Sequence, residues 1–421
     1  MSSLQPSGLC SRCNHIIETR PQYGESKHFK TFREVLDAGD LGCYICWTIS
    51  HTKRWRESAP EAFIEGLKYS VICKSDINVK GDIEFQALDI RGGVCAEIPG
   101  GTNQWTFERA KSGYLHSPDV ASDYNEPVFS LKRHRWIGVS QAALKWVASC
   151  DINHPGCRPQ DSLYRPTRLL KILNNQTVKL IHTASEETGN YAALSHCWGK
   201  TQTIKLESDT KDQLQHGTDV MSLPKSYQEA ILICLKLGIG FIWIDSLCIF
   251  QDSGDDWERE AITMQHVYGN SYLNICAAAA ADSTEESFIG RSKGILEMPE
   301  VSTTWENSSK DSFFLHYDSM LHEDIAESPL RHRGWVYQEW YLSPRSLILS
   351  QNQLWWHCRE FLANEENQHG SPEFKQFDWL KVANRFPPWP LSTRTYRASG
   401  IVYVRQAWSL GHFGVCTSCI V

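Results

Sequence analysis

The sequence predicts an α/β fold built on a parallel sheet, because apolar strands and amphipathic helices alternate along its middle. Strands are expected at 191–195, 241–244 and 272–277, and helices at 223–237 and 256–268 separate them. This β-α-β-α-β order implies parallel strands joined by right-handed crossovers. All three strands then end at one edge of the sheet, which is where open α/β sheets bind ligands.

The composition is that of a globular protein with more than one domain. The chain has 421 residues, of which 41% are apolar and 22% are charged, and this length suits two or three domains. The net charge of −7 disfavours binding to nucleic acid or to an acidic membrane. The sequence shows no signal-peptide pattern and no apolar run long enough to span a membrane. The 15 cysteines are therefore expected to be reduced thiols in a cytosolic or nuclear protein.

Shifts in composition divide the chain into four predicted units. The first has a cysteine-rich start, a β-rich middle and a polar linker, and the second supplies a connecting helix and short strands. The third holds the strand–helix repeat, and the last is irregular. In order, these units span residues 1–135, 136–190, 191–360 and 361–421.

The first unit contains alternating polar and apolar residues over 67–110, which predict a small antiparallel β unit. Its expected turns lie at Gly81-Asp82, Gly92-Gly93 and Gly100-Gly101. Residues 291–309, by contrast, are polar and are predicted to be irregular.

Two CxxC pairs, Cys10 with Cys13 and Cys43 with Cys46, are the predicted metal ligands. Such turns direct two thiolates at one ion and suit a tetrahedral zinc site. The alternative is that the second pair consists of small buried residues on a helix over 41–49. In either case, the role of these cysteines is architectural.

A second group of metal-binding residue types follows the connecting helix, which is expected at about 140–150. It consists of Cys150, His154 and Cys157. Three such residues make an incomplete set of zinc ligands, so we expect a packed loop here.

The two helices of the repeat carry signals for their ends and buried faces. Ser222 is the predicted N-cap of the first, and Gly238 lies past its end. Asp255 or Asp256 is the predicted N-cap of the second. The buried stripe of the second helix is expected at Trp257, Ala261, Met264 and Tyr268.

Polar residues follow two of the predicted strands. A shared edge would bring Ser195 and His196 close to Asp245 and Ser246. Alternatively, Asp245 and Ser246 cap a turn, and His196 is a packed edge residue. The full predicted substrate-binding set is Ser195, His196, Trp198, Gly199, Asp245, Ser246, Cys248, Gln251 and Asp252.

Four blocks of the sequence carry a family resemblance. They are YAALSHCWGK, LGIGFIWIDSLCIFQDSGDDWERE, VYGNSYLNICAAAA and RGWVYQEWYLSPRSLIL, between about Tyr191 and Cys358. In this order they resemble the fungal heterokaryon incompatibility (HET) domain. The resemblance implies a cytoplasmic protein that triggers growth arrest or cell death after non-self recognition, together with copies of itself or with an incompatibility partner. HET domains are distantly similar to TIR domains, some of which cleave NAD, and this implies a TIR-like (flavodoxin-like) parallel core.

The TIR comparison implies that Glu260 is catalytic. Trp257-x-x-Glu260 resembles the TIR helix motif whose glutamate is catalytic. A turn of 100° per residue places Glu260 about 60° from Trp257, on the shoulder of the buried face near the strand ends. A carboxylate there would stabilise the oxocarbenium-like transition state of nicotinamide–ribose cleavage. The alternative is a solvated glutamate that merely favours the helix N-terminus.

Other interpretations remain open. Cys248 with His196 and Asp245 would suit a thiol hydrolase, although a buried cysteine beside an apolar strand is usually inert. In a further alternative, the domain catalyses no reaction and acts as a signalling and self-assembly module. In the last block, Arg333, Gln338 and Glu339 are expected to tie the chain to the sheet through hydrogen bonds rather than to line a cleft.

Overall fold

The fold comes from a computed structural model. It describes residues 8–19, 26–27, 32–51, 68–76, 85–93, 103–109, 130–131, 134–135, 141–159, 161–200, 203–287, 299–303, 311–317, 320–365 and 368. The turns predicted at Gly81-Asp82 and Gly100-Gly101, and the predicted tail beyond residue 368, lie outside these residues. Among the helices of the described part, none is both long enough and apolar enough to cross a bilayer.

The described strands, in chain order, are β1 (Ser26–Lys27), β2 (Lys68–Asp76), β3 (Phe85–Gly93), β4 (Asn103–Arg109), β5 (Ser130–Leu131), β6 (His134–Arg135), β7 (Arg168–Ile172), β8 (Thr177–His182), β9 (Tyr191–Ser195), β10 (Thr218–Asp219), β11 (Phe241–Trp243), β12 (Leu273–Ala277), β13 (Glu300–Thr303), β14 (Asp311–Tyr317), β15 (Arg345–Leu349), β16 (Leu354–Cys358) and β17 (Leu362–Asn364). The described helices are α1 (Ser11–Thr19), α2 (Phe32–Asp40), α3 (Tyr44–His51), α4 (Gln141–Asn153), α5 (Lys211–His216), α6 (Lys225–Lys236), α7 (Asp245–Cys248), α8 (Gly254–Gly269) and α9 (Val336–Leu342).

The predicted strand–helix repeat forms the middle of a central sheet. Its described strands lie in the order β10-β8-β7-β11-β9-β12-β15-β16-β17. Neighbours from β11 to β15 run parallel, and β7 and β16 continue the sheet antiparallel on either side. Every residue of β9, β12 and β15 is buried, as expected for parallel strands covered on both faces. The three predicted parallel strands are confirmed to within one residue, and the sheet as a whole is mixed.

The first helix of the repeat, α6, begins later than its predicted cap. Ser222 is not its N-cap, because it ends a 3-10 turn and its hydroxyl donates to the Asp219 carbonyl at 2.7 Å. Pro224 occupies the N-cap position instead. Past the helix end, Gly238 has a φ of 70°, a left-handed conformation that favours glycine. This part of the prediction is confirmed.

The second helix, α8, is capped by Ser253, not by Asp255 or Asp256. The Ser253 side chain accepts a hydrogen bond from the Asp256 N–H, and both aspartates lie in the first turn. The predicted stripe does face the core, since Ala261 and Tyr268 are buried and Trp257 and Met264 pack against it partly buried. The buried face also includes two residues that were not predicted for it, Asp256 and Glu260. These two carboxylates turn inward toward a buried arginine of strand β7, described below.

A second, antiparallel sheet contains the predicted N-terminal β unit. Its described strands lie in the order β1-β2-β3-β4-β14-β13. The predicted turn at Gly92-Gly93 is wrong, since these glycines end β3 and pair with Tyr69 and Lys68. The prediction that 291–309 is irregular is also wrong at 300–303, because β13 forms there and pairs with β14. Glycines at a strand end and polar residues in a strand near the sheet edge both weaken the sequence signal for strands.

Candidate functional site

Polar side chains converge at the carboxyl ends of β9 and β11. Ser195 ends β9 and His196 follows it, while Asp245 begins α7 and is separated from β11 only by Ile244. The Nε2 atom of His196 lies 3.8 Å from Asp245 Oδ1. We call the group that meets here the edge cluster; it consists of Ser195, His196, Tyr227, Asp245, Ser246, Arg333 and Glu339. The sequence-based expectation that Ser195, His196, Asp245 and Ser246 share one edge agrees with this placement.

Tyr227 of α6 connects the two strand ends. Its hydroxyl lies 2.8 Å from His196 Nε2 and 2.8 Å from Ser246 Oγ, and its ring packs edge-on against the imidazole. Burial lowers the pKa of His196 to about 4, although the nearby Asp245 carboxylate opposes this shift. The imidazole is therefore neutral at physiological pH and can exchange hydrogen bonds with the tyrosine hydroxyl. In the sequence, the spacing of Tyr227, Ala230, Ile231, Cys234 and Leu235 predicts the buried face of this helix. Nothing in that pattern marks Tyr227 as a site residue.

Asp245 receives hydrogen bonds from both sides of the edge. Trp198 Nε1 donates to Asp245 Oδ2 at 2.9 Å, and the Ser246 N–H donates to Oδ1 at 2.7 Å. The second bond only joins adjacent residues, and the N-cap position of α7 is Ile244, which has no side-chain capping bond. Trp198 itself is half-buried, and Lys205 Nζ lies 5.5 Å from the centre of its ring.

Arg333 joins the fourth block of the family resemblance, which begins at this residue, to the carboxyl ends of β9 and β11. Its guanidinium donates to the His196 carbonyl, and it lies 3.6 Å from Asp245 and 3.8 Å from Glu339. Burial raises the pKa of Glu339, and Arg333 and Ser195 counteract that shift. The backbone carbonyl of Glu339 accepts from Ser343 Oγ at 2.6 Å. The expected role of Arg333 as a tie between this block and the sheet agrees with these contacts.

Glu260 lies in a second buried charge group, which we call the Arg168 cluster (Arg168, Asp256 and Glu260). Arg168 Nη2 lies 2.5 Å from Asp256 Oδ2 and 3.4 Å from Glu260 Oε1. Its Nε donates at 2.7 Å to the carbonyl of Cys248, the last residue of α7. The cluster therefore lies at the same sheet edge, which agrees with the predicted position of Glu260 near the strand ends. Glu260 is a buried, paired carboxylate, so the alternative of a solvated glutamate is wrong. Arg168 gave no sequence signal, because its position depends on the antiparallel pairing of β7 with β11.

The remaining predicted substrate-binding residues lie in the loops around this edge. Cys248 is buried, and burial raises the pKa of its thiol to about 12, which disfavours a reactive thiolate. Gln251 donates to the Ile249 carbonyl at 2.9 Å. Asp252 is exposed and accepts from the Ser208 N–H at 2.8 Å. The structure thus gives these side chains local contacts and does not bring them to His196.

Gly199 lies in a left-handed turn after β9. Its φ is 75°, and a Cβ atom at this position would lie 1.8 Å from Asp282 Oδ2. The same carboxylate oxygen accepts a hydrogen bond from the Lys200 N–H at 3.0 Å. A residue without a side chain is therefore required for the loop to close over Asp282.

The N-terminal cysteine pairs come together as the zinc hypothesis requires. The ligand atoms of Cys10, Cys13, Cys43 and Cys46 all lie within 4.8 Å of one another, and all four residues are buried. The Cys13 sulfur lies 3.6 Å from the sulfurs of Cys43 and Cys46. A tetrahedral site with Zn–S bonds of about 2.3 Å separates its sulfur atoms by about 3.8 Å. This N-terminal cysteine cluster can hold a metal ion.

The second group of metal-binding residue types is larger than the sequence indicated. Cys358, at the end of β16, joins Cys150, His154 and Cys157, and their ligand atoms also lie within 4.8 Å of one another. The group therefore has the four ligands of a tetrahedral zinc site. The sequence predicts a packed loop because only three ligands are recognisable there, and that reason no longer applies. A contact between residues so far apart in the chain has no local sequence signal.

Comparison with known proteins identifies the central part of the chain. No curated protein and no solved structure is a significant match. Residues 191–339 match the family model for the heterokaryon incompatibility protein (HET). This range begins with β9, includes the strands and helices that build the edge, and ends at Glu339. The chain therefore contains a heterokaryon incompatibility (HET) domain, and the edge cluster lies within it.

Proposed function

We propose that the chain is a cytoplasmic effector of heterokaryon incompatibility that promotes cell death by cleaving NAD at its nicotinamide–ribose bond. The observation that carries this proposal is the edge cluster, which lies at the carboxyl ends of adjacent parallel strands. Open α/β sheets bind nucleotides at such a place. The order β11-β9-β12 puts the first strand of the repeat between the second and the third, as in flavodoxin-like sheets, and this supports a TIR-like core.

The proposed reaction breaks the bond between ribose C1′ and the nicotinamide nitrogen. The electron pair leaves with nicotinamide, water adds to the resulting oxocarbenium carbon, and a proton is released to give ADP-ribose. A carboxylate near the ribose stabilises the developing cation. We assign this role to Glu260, because its partner Arg168 is bonded to the turn that begins with Asp245.

The edge cluster would bind the rest of the nucleotide. Ser195, His196 and Ser246 offer donors and acceptors for ribose hydroxyls, and Arg333 supplies a cation for the diphosphate. The half-buried ring of Trp198 offers a face for a base or for nicotinamide. The proposed binding surface is completed by Gly199, Asp245, Cys248, Gln251 and Asp252.

One observation favours a second function without chemistry. The polar groups of the edge cluster bond mainly to one another, and His196, Ser246 and Glu339 are almost fully buried. Such a network stabilises a unique arrangement of loops whether or not a ligand binds. In this alternative the HET domain signals by associating with copies of itself or with an incompatibility partner.

The two functions differ in what Glu260 does. We would express the full chain from an inducible promoter in a fungal host and measure NAD, nicotinamide and ADP-ribose by mass spectrometry. Glu260→Gln keeps the shape of the side chain, and Asp256 still pairs with Arg168, so the fold is retained. We expect this variant to abolish both NAD loss and toxicity. Glu258→Gln, at an exposed position of the same helix, is the matched control and should retain both.

A folded Glu260→Gln protein that stays as toxic as the wild type, with NAD unchanged in both, would exclude the enzymatic function. The association of the wild-type protein, measured by light scattering, would then test the alternative. If NAD loss persists in the Glu260→Gln variant and stops in Asp245→Asn, the reaction is supported but the assignment of Glu260 is wrong.

We also propose that the N-terminal cysteine cluster binds one structural zinc ion. The four buried thiols match a tetrahedral site with four cysteine ligands in residue type and spacing. Metal analysis of the purified chain tests this, with Cys13→Ser expected to lose one zinc per chain. Unchanged zinc content and unchanged stability in that variant would contradict the proposal.

A further inference from the structure

A second group of zinc ligand types is assembled outside the region that matches the HET family. Helix α4 supplies Cys150, the following 3-10 turn supplies Cys157, and His154 lies between them. Cys358 arrives from the end of β16, and its sulfur lies 3.7 Å from His154 Nδ1. All four ligand atoms lie within 4.8 Å of one another. Three thiols and one imidazole are a set that structural zinc sites use.

The arrangement favours a metal over a simple packing of thiols. The three cysteines are buried, and no disulfide joins them in the structure. The imidazole is held in place by the Phe361 ring, which packs edge-on against it at 5.4 Å between ring centres. The distance of 3.7 Å between the Cys358 sulfur and His154 Nδ1 is close to the distance between two ligand atoms of a tetrahedral zinc site. Metal–ligand bonds in such a site are about 2.0 to 2.3 Å long.

The surroundings suit the charge of such a site. A zinc ion with three thiolates and a neutral imidazole carries a net charge of −1. The buried guanidinium of Arg345 interacts electrostatically with Cys150 and ion-pairs with Asp151 at 2.6 Å. Backbone N–H groups of the turn after β16 face the sulfurs of Cys157 and Cys358. Oriented N–H groups and a nearby cation are the outer-shell partners that stabilise thiolate ligands.

We propose that Cys150, His154, Cys157 and Cys358 bind one zinc ion, in a site separate from the N-terminal cysteine cluster. The ion would join a helix that precedes the HET domain to a strand that follows it. His154 and Cys358 are 204 residues apart, so the ion would close a long loop in the chain. This site does not depend on the proposed NAD chemistry.

Metal content of the purified full chain, after a wash with chelator, tests the proposal. Cys157→Ser and Cys358→Ser should each bind one zinc fewer per chain than the wild type. A combination of either variant with Cys13→Ser should lose two. Cys234→Ala is the matched control, because Cys234 is buried but belongs to neither group, and it should keep the wild-type content. His154→Cys should keep the metal and change the spectrum of the cobalt-substituted protein toward that of four thiolates.

A measurement on the wild type covers the case in which the serine variants fail to fold. Stronger chelation followed by alkylation and peptide mapping should make Cys150, Cys157 and Cys358 reactive together, in step with the release of a zinc ion. The proposal is overturned if these three thiols react equally with and without bound metal, or if two of them are found in a disulfide. It is also overturned if folded Cys157→Ser and Cys358→Ser proteins keep the wild-type zinc content.

Discussion

The indole N–H of Trp198 donates a hydrogen bond to Asp245 Oδ2 across 2.9 Å. This bond joins the loop after β9 to the turn after β11, so the ends of two adjacent parallel strands are held together by side chains. The same carboxylate lies 3.6 Å from Arg333, and this contact adds the last block of the HET domain. Asp245 is therefore the residue at which three separate stretches of the sequence meet.

Replacement of Trp198 by phenylalanine should destabilise the protein by about 1 to 3 kcal/mol, because a hydrogen bond to a charged acceptor is lost. Urea unfolding measures the change. Trp257→Phe is the control, because Trp257 is another partly buried tryptophan and the described residues give it no side-chain hydrogen bond. Equal losses in the two variants would show that the bond to Asp245 contributes nothing beyond ring packing.

Gly199→Ala should be strongly destabilising. A non-glycine residue in this left-handed backbone costs about 1 to 3 kcal/mol, and the new Cβ would also lie 2.8 Å from the Cβ of Asp282. Gly254→Ala provides the comparison, because a Cβ at that helical position meets nothing within 4 Å. We expect a clear drop in Tm for the first variant and none for the second. A Gly199→Ala protein with wild-type Tm would mean that this loop is not held against Asp282.

Arg168→Met should cost about 3 to 5 kcal/mol, because it leaves two buried carboxylates without their cation. Arg259 also contacts Asp256, at 3.3 Å, but its side chain is 69% exposed. Arg259→Met is therefore expected to cost less than about 1 kcal/mol. Addition of Asp256→Asn and Glu260→Gln to Arg168→Met should recover part of the loss. If the two arginine variants unfold at the same urea concentration, the Arg168 cluster is not the buried charge group described above.

The neutral form of His196 predicts a pH dependence of stability. Its pKa in the native state is lowered to about 4, whereas an unfolded histidine titrates near about 6.5. Between these values the unfolded chain binds the proton and the native protein does not, so stability falls as the pH drops through this window. We expect the wild type to lose up to about 3 kcal/mol more than His196→Gln between about pH 6.5 and 4.

Urea unfolding at a series of pH values gives the difference for His196. His182→Gln is the control, since His182 is exposed at the end of β8, and its curve should run parallel to that of the wild type. Parallel curves for the wild type and His196→Gln would contradict the buried, neutral imidazole.

The parallel strands and their polar ends were predictable because both signals are local. A short apolar run followed by Ser195-His196 or by Asp245-Ser246 shows in the sequence where a buried strand stops. Arg168 and Cys358 gave no such signal. Arg168 reaches its cluster through the pairing of β7 with β11, and Cys358 reaches its cluster because α4 packs against β16. Hydrophobic periodicity says nothing about which distant segments become neighbours. The cap of α8 was missed for another reason, since Ser253, Asp255 and Asp256 are all good capping residues and only the geometry selects among them.

The pairing of β14 with β4 has a consequence for how the chain is made. β4 ends at Arg109, whereas its partner Phe313 belongs to a segment about two hundred residues later. During synthesis, the ribosome completes β2, β3 and β4 long before it reaches β14. Throughout that interval the outer edge of β4 carries unpaired N–H and C=O groups, which are a template for pairing with another chain. The N-terminal sheet is therefore most open to intermolecular strand pairing while the HET domain is still being translated.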